Sequence, residues 1–286
     1  MNDKSRANST GYAMPGCVYL VGGGPGDPDL ITVRGAALLA SADAILHDEL
    51  VHPALLERAR EGAEIRHVGK RGGDPSAKQA SQAAIDAAQI ELARAGKSVV
   101  RLKGGDPFLF GRGSEEAEAL AAAGVPFEIV PGLTAAVVAP AVAGVPVTHR
   151  GVASAFLVVS GHAPDAYARV LQGLPVNGLT IVVLMGFAER GRIARLLVDA
   201  GWPPATPSAI VTNATQPSQG IWTGPLEAIG QALAGAPAED AHAIVIGEVV
   251  EVGAVIARGL VASNDAGWAR DEPEEIGIVP PPDRIR

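Results

Sequence analysis

The feature that most constrains the fold of this chain is a repeated alternation of short apolar segments with longer helical segments, separated by loops of glycine and proline. Apolar runs bounded by such loops, as at residues 17–21 and 98–102, are typical of strands buried on both faces. The alanine-rich stretch 79–95 is typical of a helix and is followed by Gly96, a common helix terminator. Strands and helices that alternate at this spacing predict an α/β fold built mainly from parallel sheets.

The alternation extends over most of the 286 residues and predicts two α/β domains. Further strands are expected at residues 44–46, 64–68, 127–130, 155–160, 180–185, 208–212 and 243–249. Further helices are expected at residues 31–41, 114–123 with Ser114 as N-cap, 134–143 with a kink at Pro140, 190–200 and 226–234. Pro131-Gly132 interrupts the pattern near Leu133, so we place the domains at 16–133 and 134–262. The polar segments 1–15 and 263–286 are predicted to be disordered.

The composition narrows the class of protein. With 48% apolar and only 4% aromatic residues, the cores must be built mainly from Ala, Val, Leu and Ile. A net charge of −8 disfavours a general nucleic-acid binder, because nucleic acids are themselves anionic. The single cysteine excludes an internal disulfide, and the polar start lacks the apolar core of a secretory signal. The most apolar stretch, 121–147, contains Glu128 and four prolines, so no membrane span is predicted and we expect a cytoplasmic protein.

A glycine-rich loop at residues 22–28, Gly-Gly-Gly-Pro-Gly-Asp-Pro, follows the first predicted strand. A dinucleotide fingerprint that starts at Gly22 requires glycine at position 27, where this chain has Asp27. The prolines also remove backbone donors that a pyrophosphate would need. The loop therefore either lets the backbone approach a ligand other than a phosphate or is a plain strand-to-helix turn.

The most informative segment is Arg-Leu-Lys-Gly-Gly-Asp-Pro-Phe-Leu-Phe-Gly-Arg-Gly at residues 101–113, which begins inside a predicted strand and ends at a predicted helix. Gly104 and Gly105 remove side chains where a ligand could approach. Asp106 can accept hydrogen bonds from loop amides or ligand hydroxyls, or can cap a turn. Because open α/β sheets bind ligands at the carboxyl ends of their strands, this loop is a candidate binding site, with a structural turn as the alternative.

Polar side chains near these loops allow two interpretations each. Asp48 follows a predicted strand, where its carboxylate can face a cleft or cap the next helix. Arg112 and Glu115 are three residues apart at a helix start, so they can share a face as an exposed ion pair or bind an acidic ligand. Arginine binds carboxylate through two parallel hydrogen bonds, which would reconcile an acidic protein with an acidic ligand. The six histidines form no H-x-x-x-H pattern, so no metal site is predicted.

These segments together resemble the uroporphyrinogen-III C-methyltransferases, which belong to the tetrapyrrole methylase class. The resemblance runs from about Val18 to Val250 and is most specific over residues 99–116. It is carried by residues 21–28 with Leu30 and Thr32, Asp48, Gly69-Lys70, 101–113, Glu115-Glu116, 130–132, and Gly-Val-Pro-Val-Thr-His-Arg at 144–150.

The resemblance implies a homodimer of two-domain α/β subunits with the active site in the cleft between the domains. S-adenosylmethionine would lie in that cleft against Pro25, Gly104, Gly105, Asp106, Leu109, Thr134, Ala135, Met185 and Ala214. Ala214-Thr215 departs mildly from the Gly-Thr of many members. Asp48 and Lys70 occupy the positions that the family treats as proton acceptor and proton donor, and Arg112 and Glu115 those of a second catalytic pair. Arg112, His149 and Arg150 are expected to bind the substrate.

The expected activity is two successive methyl transfers to carbon atoms of uroporphyrinogen III, giving precorrin-2 for cobalamin, sirohaem or a related tetrapyrrole. The alternatives within the same fold are a later precorrin methyltransferase, a diphthine synthase or a ribosomal-RNA ribose methyltransferase. The alternative from another class is a non-catalytic protein that retained only the glycine-rich loops.

Overall fold

The computed structural model describes residues 12–69, 82–237 and 241–259. Within these ranges ten strands form two five-stranded sheets, one from residues 18–130 and one from residues 155–246. The predicted disordered segments 1–15 and 263–286 lie wholly or mostly outside the described residues. None of the helices in the described ranges has the length and apolar character needed to cross a bilayer.

The first sheet is entirely parallel, as the sequence predicts. Its strands run in the order β3-β2-β4-β1-β5, so β4 and β1 lie at the centre. They are β1 (Val18–Gly22), β2 (Ala44–His47), β3 (Glu64–His67), β4 (Val99–Lys103) and β5 (Phe127–Val130). The helices of this half are α1 (Val33–Leu39), α2 (Pro53–Leu56), α3 (Gln82–Arg94) and α4 (Gly113–Ala122). Because all five strands point the same way, their carboxyl ends meet at one edge of the sheet.

The two faces of this sheet are covered by different helices, which explains why its central strands are apolar at nearly every position. On one face Tyr19 and Leu102 pack with Leu38 of α1. On the other face Leu20 and Leu120 belong to the cluster formed with α3 and α4. Burial on both faces is the environment that continuous apolar runs predict.

The second sheet is mixed, and here the prediction of mainly parallel strands is wrong. Its order is β6-β7-β10-β8-β9, and only β6 and β7 are parallel. Its strands are β6 (Ala155–Ser160), β7 (Leu179–Leu184), β8 (Pro207–Thr212), β9 (Gly220–Pro225) and β10 (His242–Ile246). The short segment 213–219 joins β8 to β9 as a hairpin, because a parallel crossover needs a dozen or more residues. We did not predict β9, whose edge position and terminal Gly and Pro weaken the strand signal.

Helices cover both faces of the second sheet as well. They are α5 (Ala135–Val142), α6 (Pro164–Leu171), α7 (Arg190–Asp199) and α8 (Val249–Ile256). Tyr167 of α6 and Leu197 of α7 pack around buried Trp202 on one face. On the other face α8 contributes Val249, and α5 contributes Ala139 to a cluster that includes Ala214. Helix α5 follows the predicted domain boundary near Leu133 and packs against β7 and β10 of the second sheet.

Three local predictions differ from the structure. Helix α4 begins at Gly113 with Arg112 in the N-cap position at φ 59°, so Ser114 is not the cap. The expected helix 226–234 is only a short 3₁₀ turn, Leu226–Ala228, followed by turns. The strand expected to reach 249 ends at Ile246, because Gly247 at φ 142° turns the chain into α8. Pro140 lies inside α5, where Thr134 caps the helix with its side chain.

Candidate functional site

Three glycines bring the ends of β1, β4 and β5 into backbone contact. A Cβ atom on Gly22 would lie 2.5 Å from both the carbonyl oxygen of Gly105 and the Cα of Gly132. A Cβ atom on Gly132 would lie 2.2 Å from the same Gly105 oxygen. Real Cβ atoms do not approach backbone this closely, so a side chain at Gly22 or Gly132 would force the strand ends apart.

The loops after these strands are also joined by hydrogen bonds. Gly105 N donates to Gly24 O at 2.7 Å, and Gly24 N donates to Gly105 O at 3.3 Å. Asp106 Oδ2 accepts from Gly132 N at 3.1 Å and its Oδ1 accepts from Phe108 N at 2.9 Å. Of the roles left open by the sequence, the structure therefore shows Asp106 binding loop amides, which fixes the β4 loop against the β5 loop.

The glycine-rich loop after β1 contacts the loop that follows β8 of the second sheet. Asp27 N donates to Thr215 Oγ1 at 2.8 Å. A Cβ atom on Gly26 would lie 2.9 Å from Ala214 O, so the β1 loop and the β8 loop are in backbone contact. Residues expected to bind the cofactor, Pro25 in the first loop and Ala214 in the second, are thus brought together although far apart in sequence. Thr134 and Ala135 begin helix α5, whose later turns pack with Ala214.

Backbone strain is concentrated at these strand ends. Among the described non-glycine residues, every one with positive φ except Leu233 lies in a loop after β4, β7 or β8. They are Phe110, Arg112, Met185, Asn213 and Thr215. Left-handed backbone at a non-glycine residue costs of order 1–3 kcal/mol and persists where function or packing holds it. Met185 is also more than half exposed, so an apolar side chain expected at the cofactor is displayed at the end of β7.

Next to these loops lies a buried network of four charged side chains, formed by Arg101, Lys103, Glu116 and Asp48. Arg101 Nη2 donates to Asp48 Oδ1, and Arg101 Nε donates to Glu116 Oε1 at 3.2 Å. Lys103 Nζ donates to Glu116 Oε1 at 2.9 Å and lies 3.6 Å from Asp48 Oδ2. The side chains of Arg101, Lys103 and Glu116 are 2%, 3% and 0% exposed. That of Asp48 is 28% exposed, so Asp48 is the one member of the network that reaches solvent.

Sequence reasoning missed Arg101, Lys103 and Glu116 as members of the site. The signal was present, because two cations at alternate positions of a buried strand project to the same face and require buried anionic partners. For Asp48, the sequence also allowed a second role, as the cap of the next helix. That interpretation is wrong, since α2 begins at Pro53 and is capped by His52. Burial lowers the pKa of His47, which precedes Asp48 at the end of β2.

Arg112 and Glu115 form the predicted pair at the start of helix α4. Arg112 Nε lies 3.1 and 3.0 Å from the two carboxylate oxygens of Glu115, and the side chains are 48% and 51% exposed. The hydrogen bonds raise the pKa of Arg112 and lower the pKa of Glu115. Both groups are therefore held in their charged forms, which suits binding of an anionic ligand by Arg112 more than proton donation by Glu115.

The remaining predicted residues are placed as follows. Lys70 lies outside the described residues, but Gly69 before it packs against the backbone of Asp48, since a Cβ on Gly69 would lie 2.9 Å from the Asp48 Cα. Leu109 is half-buried in the β4 loop. His149 and Arg150 are exposed at a turn in which His149 N donates to Ala153 O at 3.0 Å. Within the described ranges, no hydrogen bond or ion pair joins that turn to the glycine loops. The described residues contain no group of three or more His, Cys, Asp or Glu side chains that could hold a metal ion.

A family model described as Tetrapyrrole (Corrin/Porphyrin) Methylases matches residues 17–230. A siroheme synthase from Ectopseudomonas mendocina (strain ymp) is 45% identical over 236 residues, which cover 82% of this chain and 50% of that protein. This chain spans about half the length of the curated relatives it matches.

Solved structures are similar over nearly their full length. A uroporphyrin-III-C-methyltransferase from Thermus thermophilus has 39% identity and a TM-score of 0.71, with 84% of this chain and 98% of that chain covered. A structure of the uroporphyrin-III C-methyl transferase from the same organism, complexed with S-adenyl homocysteine, has 38% identity and a TM-score of 0.69. That match covers 82% of this chain and 99% of the other.

Proposed function

This chain belongs to the tetrapyrrole (corrin/porphyrin) methylases, and from that premise we propose that it transfers methyl groups from S-adenosylmethionine to carbon atoms of uroporphyrinogen III. Two successive transfers would give precorrin-2. The names of the similar proteins, siroheme synthase and uroporphyrin-III C-methyltransferase, support this substrate. The single observation that carries the proposal is the meeting of the glycine-lined strand ends of the first sheet with the β8 loop of the second.

The residues at this meeting point fit the methyl donor. When bound, S-adenosylmethionine supplies an electrophilic methyl carbon on a positively charged sulfur. A Cβ at Gly105 would meet no atom within 4 Å, so the backbone there borders open space that a ligand can enter. We assign the cofactor contacts to Pro25, Gly104, Gly105, Asp106, Leu109, Thr134, Ala135, Met185 and Ala214. Most of these residues offer backbone or apolar surface, which suits a sulfonium better than a cluster of cationic side chains would.

The acceptor carries many carboxylates and requires cationic partners. Arg112 is half exposed and directed by Glu115, so its guanidinium can exchange part of that contact for a substrate carboxylate. We assign the same role to Arg150 and its neighbour His149 on their exposed turn. These local cations explain how a chain of net charge −8 would bind a polyanion.

Proton handling is assigned to Asp48, with Lys70 as its partner. Asp48 is the one member of the buried network that reaches solvent, so its carboxylate can accept a proton from a bound ring. Much of the rate advantage would come from holding the acceptor carbon in line with the methyl carbon, which is a matter of positioning. Arg112 and Glu115 would orient the tetrapyrrole for that attack.

The proposal is tested with the purified chain, uroporphyrinogen III and methyl-labelled S-adenosylmethionine. We expect two labelled methyl groups per tetrapyrrole. Asp106→Ala should abolish most turnover because the β4 and β5 loops lose their tie, whereas Asp165→Ala on the exposed start of α6 should not change it. Label that never enters a tetrapyrrole, or enters only a different acceptor, would refute the proposal.

We further propose a cytoplasmic homodimer. Three large apolar side chains are substantially exposed where a second subunit could cover them: Ile129 on the edge strand β5, Leu133 in the loop that follows, and Val137 in the first turn of α5. Light scattering at micromolar concentration should give twice the mass of one chain. A Val137→Glu variant should have the mass of one chain. A wild-type protein that already has the mass of one chain would contradict the dimer.

A further inference from the structure

The two oxygens of Asp48 are held unequally. Oδ1 receives a direct hydrogen bond from the buried guanidinium of Arg101. Oδ2 has Lys103 Nζ at 3.6 Å, which is beyond a direct hydrogen bond. One oxygen is therefore occupied, whereas no hydrogen bond from the described residues reaches the other, which has a cation nearby.

Lys103 stays back from Asp48 because Glu116 holds it. Lys103 Nζ donates to Glu116 Oε1 at 2.9 Å, and Glu116 is completely buried. Lys103 and Arg101 alternate along β4, so both cations face the same pair of carboxylates. Two positive and two negative charges balance in this network, and the loss of any one member would leave an uncompensated buried charge.

The geometry points to a division of labour that rests on the proposed function. We propose that Lys103 and Glu116 are positioning residues that keep Asp48 Oδ2 free and directed at the tetrapyrrole, so that Oδ2 is the oxygen that accepts the proton. Arg101 anchors the opposite oxygen, and Lys103 on the Oδ2 side sets the rotation of the carboxylate about that anchor. Neither Lys103 nor Glu116 touches the substrate, because both are almost wholly buried.

The first test compares Lys103→Met with Lys97→Met. Lys97 is a matched control because it flanks the amino end of the same strand, is partly exposed, and pairs with Glu64 at 2.5 Å. A misdirected carboxylate should lower kcat for methyl transfer by roughly 10- to 100-fold in Lys103→Met. KM for the tetrapyrrole and Kd for S-adenosylhomocysteine should stay within about twofold, and Lys97→Met should leave kcat unchanged. Equal losses in kcat and binding would indicate a general structural role and overturn the inference.

The second test asks whether Lys103 acts through Asp48. In an Asp48→Asn background, Lys103→Met should cost no more than about a further twofold in kcat, because the group that it positions is already gone. If the two substitutions instead multiply their separate losses, Lys103 acts independently of Asp48 and the inference fails.

The third test uses crystal structures and needs no activity. In Glu116→Gln, which preserves shape if Lys103→Met folds poorly, Lys103 should move to about 2.9 Å from Asp48 Oδ2. In Lys103→Met, the Asp48 carboxylate should rotate so that both oxygens face Arg101. If Asp48 and its neighbours stay in place in both variants, the positioning role is refuted. If the carboxylate moves as expected but the wild type does not methylate uroporphyrinogen III, the proposed function fails and the positioning stands.

Discussion

Two sets of charged side chains draw on β4 and α4 but differ in almost every physical respect, the first set also including Asp48 from the end of β2. The network of Arg101, Lys103, Glu116 and Asp48 is buried, whereas Arg112 and Glu115 pair in solvent a few residues away. Water screens the exposed pair, so its attraction adds little to stability and leaves Arg112 available to a ligand. Apart from Asp48, the members of the buried set have lost their hydration and depend on their internal pairing. Burial therefore separates two roles for neighbouring ion pairs. The exposed pair is suited to recognising a ligand, and the buried network is suited to holding the Asp48 carboxylate in place.

The largest effect is expected where the buried pairing is broken. Glu116→Ala leaves Arg101 and Lys103 facing Asp48 alone and should lower the free energy of unfolding by about 3–5 kcal/mol. Urea denaturation at neutral pH measures this loss. Glu115→Ala, one residue earlier and exposed, is the control and should leave the denaturation midpoint in place. If the two variants lose the same free energy of unfolding, the buried charges contribute no more to stability than the exposed ones, which would contradict this comparison.

The next largest effect on stability is expected at the glycines that hold the ends of β1, β4 and β5 in backbone contact. Gly132→Ala forces a methyl group to 2.2 Å from Gly105 O, which should cost about 1–3 kcal/mol as overpacking. Gly173→Ala is the control, because nothing lies within 4 Å of its Cβ and its φ is not in the left-handed region. Thermal unfolding should separate the two variants by several degrees. If Gly132→Ala unfolds at the same temperature as Gly173→Ala, the strand ends can move apart. That result would contradict the close backbone packing on which the proposed site depends.

A smaller effect is expected at Asp43, a carboxylate of intermediate burial at the start of β2. Ser98 N and Oγ donate to its Oδ2 at 2.8 and 2.7 Å and hold the pKa of Asp43 below its usual value. Its stabilisation is therefore full above the unfolded pKa of about 3.9 and disappears as pH falls through the lowered folded value. Asp43→Asn should cost about 1 kcal/mol at neutral pH, and the difference from wild type should vanish in acid. A difference that persists unchanged at low pH would assign the effect to packing instead.

The smallest effect on stability is expected at Arg112. Arg112→Ala removes an exposed side chain, so the denaturation midpoint should stay within error. Tetrapyrrole turnover should nevertheless fall, while calorimetry should still detect S-adenosylhomocysteine binding near the wild-type affinity. Lost cofactor binding in a normally folded variant would place Arg112 at the donor rather than at the acceptor.

Prediction from the sequence succeeded where local signals and packing agree. The parallel first sheet followed from apolar runs alternating with helices, and the family predicted from the resemblance between about Val18 and Val250 is confirmed by the family match. The second sheet shows where this reasoning fails. Period and composition identify a strand but not its direction, so the antiparallel β10 and the hairpin β8–β9 could not be read from the pattern. Strand β9 lies at an edge and has little of the burial that makes a strand recognisable.

The candidate site also has a part that the sequence predicted and a part that it did not. The glycines of the loops were identified because their lack of a side chain is visible in the sequence, and the structure shows them in backbone contact. The partner of Asp48 was not identified, because Arg101 lies 53 residues further along the chain and meets it only when β2 pairs with β4.

By itself the sequence determined the α/β architecture, the family, the loops that border the site and the charged side chains available to it, since these depend on composition and local pattern. Only the tertiary structure decided which charges are buried together, which oxygen of Asp48 is occupied, and how the second sheet is arranged. The physical reason is that pairing and burial are set by contacts between distant segments, and the energy of a charge depends on how much water those contacts remove.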